Sequence, residues 1–194
     1  KQNLIKENID SSSVTVTGNT VIDALNMVLD KIKLNEELRS RLSQTINLAG
    51  FTELDSQFIL VTGHRRENFG QGFLNICRAL KTIADENINI NIIYPVHLNP
   101  NVRKPVYKIL SQTQNIFLIE PLQYQEFIYL MSKSYLILTD SGGIQEEAPS
   151  MGKPVLVMRD TTERPEALDA GTVKLVGSSE PDIIDAVQKL LDND

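Results

Sequence analysis

Several things this chain has little of narrow what it does. A single cysteine, Cys77, excludes an internal disulfide. It lies where Phe73, Cys77, Leu80 and Ala84 recur at helical spacing, which predicts a buried structural thiol and fits a reducing cytoplasm. The two histidines, His64 and His97, are far apart, and with one helical cysteine they provide no zinc-ligand spacing; no metal site is expected. The acidic end Asp192-Asn193-Asp194 resembles the pair that holds a divalent ion in some sugar-nucleotide enzymes, but at a terminus fraying is the expectation. No apolar run approaches the roughly 18 residues of a membrane span, and the first residues lack the basic, apolar, small-residue order of a secretory signal. Net charge is −6 with no basic stripe, which argues against nucleic acid as a partner. There is no internal repeat and no low-complexity tract.

What remains is a globular composition of 194 residues, 41% hydrophobic, enough for one good core. Continuous apolar runs predict strands at Phe58–Thr62, Ile90–Tyr94, Ile116–Ile119, Tyr135–Thr139, Val155–Met158 and Val173–Val176. Runs of this kind suit a parallel sheet covered on both faces. Amphipathic segments between them predict helices near 71–86, 100–112, 124–133, 143–151, 165–170 and 181–192. Regular alternation of the two implies an α/β fold with a doubly wound parallel sheet. The start differs: Val14-Thr15-Val16-Thr17 alternates like a short strand before a Gly18-Asn19 turn, and helices follow near 20–32 and 35–46. An orphan strand and helices ahead of a complete sheet, in a chain that does not begin with Met, predict a fragment that has lost a preceding domain.

The chemistry concentrates where strands end. Asp140-Ser141-Gly142-Gly143-Ile144-Gln145-Glu146-Glu147 runs from a strand through small residues into a helix, which leaves backbone N–H groups free for an anion such as a phosphate. Glu147 falls about one turn later, roughly 6 Å along the axis, in reach of a ribose on a nucleotide held by the turn. His64 follows the first strand of the sheet in Gly63-His64-Arg65-Arg66-Glu67-Asn68, and His97 follows the second in Pro95-Val96-His97-Leu98-Asn99. Arg159 and Arg164 sit in the loop after Val155–Met158. Four loops at one carboxyl edge therefore carry the unusual residues, and open α/β sheets bind ligands at that edge. Each residue also has a plainer reading. Arg65 and Arg66 would pair with Glu67 on the surface, Arg159 with Asp160, and Arg164 with Glu163 or Glu166; Phe127 would be a core residue.

Five segments together resemble the bacterial non-hydrolysing UDP-N-acetylglucosamine 2-epimerases: Val16–Asp23, Gly63–Asn68, Tyr94–Pro100, Thr139–Glu147 and Gly152–Glu166. The resemblance runs from about residue 14 to the end. It implies the C-terminal, Rossmann-like half of a two-domain enzyme of the GT-B type. Residues 1–18 would be a crossover from the missing N-terminal domain, and 19–194 the UDP-binding domain. The family interconverts UDP-N-acetylglucosamine and UDP-N-acetylmannosamine without metal or cofactor, in cell-surface polysaccharide biosynthesis, and the full-length enzyme would be a homodimer.

By motif position the resemblance assigns Ser141, Gly142 and Gly143 to the diphosphate and Glu147 to the ribose. His64 and Arg164 would contact the nucleotide, His64 also as a catalytic residue, while Phe127 and the backbone of Leu122 would flank the uracil. Residue 122 departs from the Gln of some members, which leaves a backbone role there. Arg65, Glu67 and His97 match residues that hold a second, activating UDP-N-acetylglucosamine. The proton-transferring carboxylates belong to the missing half, so this chain alone is expected to be inactive. A nucleotide-sugar glycosyltransferase and a stand-alone UDP-binding module are the competing readings; the His-Arg-Arg-Glu-Asn loop favours the epimerases over the first.

Overall fold

The computed structural model describes residues 1–192, so Asn193 and Asp194 of the acidic C-terminal end lie outside the described residues. Among the described residues six parallel strands form one sheet in the order β3-β2-β1-β4-β5-β6. They are β1 (Phe58–Thr62), β2 (Asn91–Pro95), β3 (Ile116–Ile119), β4 (Leu136–Thr139), β5 (Val155–Val157) and β6 (Val173–Leu175). All six coincide with the apolar runs to within a residue at either end. The reason for those unbroken runs lies in the packing: alternate side chains face opposite layers, and both layers are buried and apolar. In β1, Ile59 and Val61 enter one core while Phe58 and Leu60 enter the other.

The first core lies under α4 (Gln71–Glu86), α5 (Pro100–Leu110) and α9 (Glu180–Leu191). In α4, Phe73, Cys77, Leu80 and Ala84 lie on the buried face as their spacing predicts; Cys77 is fully buried, and burial pushes its thiol up to about 12. The second core is built by α2 (Thr20–Leu34), α3 (Glu36–Leu48), α6 (Tyr124–Lys133) and α7 (Ile144–Ser150), with α8 (Pro165–Asp169) against its edge. Asn19 caps α2 and Asn35 caps α3, each side chain accepting an N–H that the first turn leaves open. Gly70, at φ 86°, makes the turn into α4, a conformation a residue with a Cβ adopts at a cost.

One expected element is absent. Residues 14–19 form no strand: among the described residues they pair with none, and Val16 is 72% exposed. Alternation marks a strand when one face is buried and a neighbour completes the ladder, and this stretch has neither. Ahead of it the short α1 (Gln2–Lys6) is exposed apart from half-buried Ile5. Among the described residues no helix is long and apolar enough to cross a membrane.

Candidate functional site

The strand order reverses between β1 and β4. Their following loops diverge, one to α4 on the first face and one to α7 on the second, and so open a crevice at the carboxyl edge. The Thr62 and Thr139 hydroxyls, 2.7 Å apart, bridge the two strand ends, and Thr139 Oγ1 also accepts the Ser141 N–H. The Ser141–Gly143 turn follows, with Gly143 already helical at φ −64°, ψ −42°. Glycine serves closeness of approach here. A Cβ on Gly142 would overlap the Glu163 carboxylate and lie 3.3 Å from Arg65 Nη2, whereas one on Gly143 would meet nothing nearer than Ser141 Oγ at 4.0 Å.

Asp140, fully buried just before that turn, organises the loop after β1. Its Oδ2 accepts the backbone N–H of His64 at 2.9 Å, that of Arg65 at 2.8 Å and the Asn68 amide at 3.3 Å. Asn68 also donates to Met158 O, tying in the loop after β5. The His64 ring, 43% exposed, stacks on that of His97 with centroids 5.3 Å apart and planes 17° from parallel. A cavity of about 430 Å³ is lined by these two histidines with Arg65, Arg66, Glu67 and Asn99. The expected nucleotide contact His64 and the expected activator contacts Arg65, Glu67 and His97 thus share one recess.

The arginines reach partners beyond their immediate neighbours in sequence. Buried Arg159 donates to Glu67 and Glu163, and Arg65 meets Glu163 at 3.1 Å, so a chain of four charges bridges the loops after β1 and β5. Neither Arg65 with Glu67 nor Arg159 with Asp160 forms the surface pair that adjacency suggests. Glu163's own backbone N–H and then Arg159 hold its carboxyl below the ordinary glutamate value. Arg164 pairs with Glu146, its Nε close to that carboxylate without aiming its N–H along the line. Glu163 meets Arg164 through its backbone carbonyl alone, at 3.3 Å. Beneath, buried Gln145 donates to Ser141 O and accepts from Thr162 Oγ1, which in turn accepts the Arg164 N–H.

Glu147 stands apart from these cations. Its side chain is half-buried, with the Tyr124 hydroxyl donating at 3.4 Å. Burial chiefly raises its pKa above the ordinary glutamate value, Glu146 adding to the rise and Tyr124 opposing it. Leu122 and Phe127 are partly exposed at the rim of the second core, so the core reading of Phe127 holds for part of its ring. Sequence reasoning passed over Asp140, Asn68, Gln145 and Glu146 as actors. The one available signal was a charged or amide residue beside a buried strand end, where a polar group needs partners.

Fold and crevice define a doubly wound, Rossmann-like α/β domain with a polar, partly cationic recess at its switch point. The chain belongs to the UDP-N-acetylglucosamine 2-epimerase family, whose model matches residues 1–194. It is 59% identical over 192 residues to the UDP-N-acetylglucosamine 2-epimerase of Campylobacter jejuni, covering 99% of this chain and 50% of that protein. The Escherichia coli K12 enzyme of that name is 56% identical over 191 residues, covering 98% of this chain and 50% of the relative. A crystal structure of the Neisseria meningitidis UDP-GlcNAc 2-epimerase bound to UDP-GlcNAc superposes with a TM-score of 0.92 at 52% identity, over 99% of this chain and 51% of that one. The Methanocaldococcus jannaschii enzyme in complex with UDP-GlcNAc and UDP gives 0.81 at 34% identity, over 100% and 52%. A trehalose 6-phosphate synthase from Burkholderia multivorans, 10% identical with a TM-score of 0.62 over 89% of this chain and 41% of that one, shares the fold. The chain spans about half the length of the curated relatives it matches.

Proposed function

We propose that this chain is the UDP-binding half of an enzyme that interconverts UDP-N-acetylglucosamine and UDP-N-acetylmannosamine. The observation that carries the reading is the convergence of the Ser141–Gly143 turn, His64 and Arg164 at the switch point, in a chain half of whose relatives' length is missing from the match. Related structures with UDP-GlcNAc or UDP bound support the ligand class.

On this reading UDP is eliminated to leave 2-acetamidoglucal and then adds back with inversion at C2. Both steps move negative charge on and off the diphosphate, and fixed donors lower the barrier where that charge develops. Ser141, Gly142 and Gly143 present backbone N–H groups to the diphosphate. His64 and Arg164 supply donors and positive charge, His64 as the catalytic residue of this half. Glu147 accepts from the ribose hydroxyls, and Phe127 with the Leu122 backbone flanks the uracil. The exposed residues 1–18 are the crossover from the other domain. Arg65, Glu67 and His97 hold an activating second nucleotide sugar, a reading supported by their shared place in the lining of the recess beside His64.

Calorimetry with UDP in the presence of a chelator tests the reading. Binding is expected, since the donors come from the chain itself; binding that required added Mg²⁺ or Mn²⁺ would refute the metal-free site. With the C2 carboxylates and the second wall of the cleft elsewhere, the pure chain should leave C2 of UDP-N-acetylglucosamine unexchanged in D₂O by NMR.

A further inference from the structure

We propose that Asp140 is a positioning residue for His64, which holds the neutral imidazole with its proton on Nδ1 and so presents Nε2 as the free lone pair. The two carboxylate oxygens have different surroundings. Oδ2 takes the His64 and Arg65 N–H groups and the Asn68 amide, which anchors the loop. Oδ1 accepts the His64 N–H at 3.1 Å and lies 3.7 Å from His64 Nδ1. That is beyond a hydrogen bond, but a buried carboxylate so close favours whichever tautomer turns an N–H toward it. The loop has little freedom to withdraw the ring: Tyr94 donates to Gly63 O at 2.9 Å, and His97 stacks against the imidazole.

His97 provides an internal contrast. Its Nδ1 accepts the Asn99 N–H at 3.1 Å, which leaves the proton of neutral His97 on Nε2. The stacked pair therefore carries opposite tautomers. For His64 the consequence is chemical. A lone pair on Nε2, across the ring from Asp140, takes the remaining proton of the bound terminal phosphate: the phosphate O–H breaks, the Nε2–H forms, and the imidazolium then donates to the phosphate in a charge-assisted contact that the buried Asp140 carboxylate stabilises. This consequence for the ligand rests on the UDP reading above; the tautomer itself does not.

Asp140→Asn separates anchoring from positioning. With the amide oxygen in the place of Oδ2 the loop keeps its main acceptor, while the amide NH₂ in the place of Oδ1 donates toward Nδ1 and drives the ring proton to Nε2. Long-range ¹⁵N–¹H NMR of the imidazole nitrogens of this chain at alkaline pH reads the tautomers directly. The expected wild-type result is Nδ1–H for His64 and Nε2–H for His97. In Asp140→Asn both rings should carry Nε2–H, the His64 ratio moving by at least about tenfold, and UDP affinity should fall about tenfold or more, the weight of one charge-assisted contact. A carboxylate that was merely an anion near a diphosphate would give tighter UDP binding when neutralised. Wild-type His64 carrying Nε2–H would overturn the proposal without any variant, which covers the case of an Asp140→Asn chain that does not fold. So would an unchanged tautomer in the variant alongside shifted His64 and Arg65 amides, the signature of a purely structural anchor. Failure of the wild type to bind UDP would count against the functional reading, and the ring measurement, made without ligand, still decides the role of Asp140.

Discussion

Glu147→Gln sets the ribose contact against the stability of the free fold. In the unliganded chain this carboxylate is half-buried, has the Tyr124 hydroxyl as a long hydrogen-bond partner, and stands next to Glu146, which takes Arg164 for itself. Burial first, and Glu146 after it, raise the Glu147 pKa, so the fold favours the neutral acid. The stability this group contributes is therefore complete below its unfolded pKa and is lost as pH rises through the raised folded value. Glutamine is neutral throughout. At neutral pH Glu147→Gln should leave the unliganded chain as stable as wild type or slightly more so, by less than about 1 kcal/mol because solvent reaches half the side chain. That is a rise in Tm of at most about 2–4 °C. UDP binding should move the other way. Two hydrogen bonds from the ribose hydroxyls to a carboxylate, each worth about 1.5–3 kcal/mol, become at most one to a neutral oxygen. After water replacement a loss of about 1–3 kcal/mol remains, or roughly 5- to 150-fold in affinity. Calorimetry with UDP and with a dideoxyribose analogue, beside thermal melts of both proteins, makes the comparison. The wild type should discriminate against the analogue and the variant should not. Unchanged or tighter UDP binding with ribose discrimination intact would falsify the ribose role and leave Glu147 a solvated helix residue.

Gly142→Ala should weaken UDP binding and lower stability by about 1–2 kcal/mol, since its Cβ overlaps a Glu163 carboxylate held by Arg65 and Arg159, whereas Gly143→Ala, already helical and unobstructed, should leave the fold within about 0.5 kcal/mol of wild type; urea melts of both variants check the contrast. Arg159→Met strands Glu67 and Glu163. Both are partly exposed, so the expected loss is about 1–3 kcal/mol, below that of a fully buried pair, and adding Glu163→Gln should restore part of it in a double-mutant cycle. Because Glu163's pKa is lowered in the fold, its stabilising contribution stands above the ordinary glutamate value and fades as pH falls through the lowered one, and the Arg159→Met penalty should shrink over that acid range in pH-dependent melts. Cys77 should resist iodoacetamide in the native chain and react once urea unfolds it, because a buried thiol with its pKa near 12 carries almost no thiolate at neutral pH; labelling followed by mass spectrometry reads this, and rapid native labelling would show the thiol is not in the core.

What could be read in advance was set by local chemistry. Strand and helix order followed from periodicity, because burying a strand on both faces demands an unbroken apolar run and burying one helical stripe demands the 3.6 repeat; β1 and α4 are the clear cases. The Ser141–Gly143 turn was legible for a similar reason, since small residues between a buried strand and a helix have a steric meaning of their own. Residues 14–19 misled because alternation states a preference that a neighbouring strand must complete, and among the described residues none does.

Partners across the fold were another matter. Asp140 and Arg65 lie 75 residues apart, and Arg65 and Glu163 98 apart, yet each pair is in contact, because β1 lies between β2 and β4 in the sheet and the loops after β1, β4 and β5 meet at one edge. No local pattern records that strand order. The sequence alone therefore determined which elements form and which loops carry chemistry. The tertiary structure alone decided that Arg159 serves Glu67 and Glu163, that Arg164 serves Glu146, and that a buried carboxylate faces His64. A charge takes the partner that desolvation and geometry bring near, and nearness is a property of the fold rather than of adjacency in the chain.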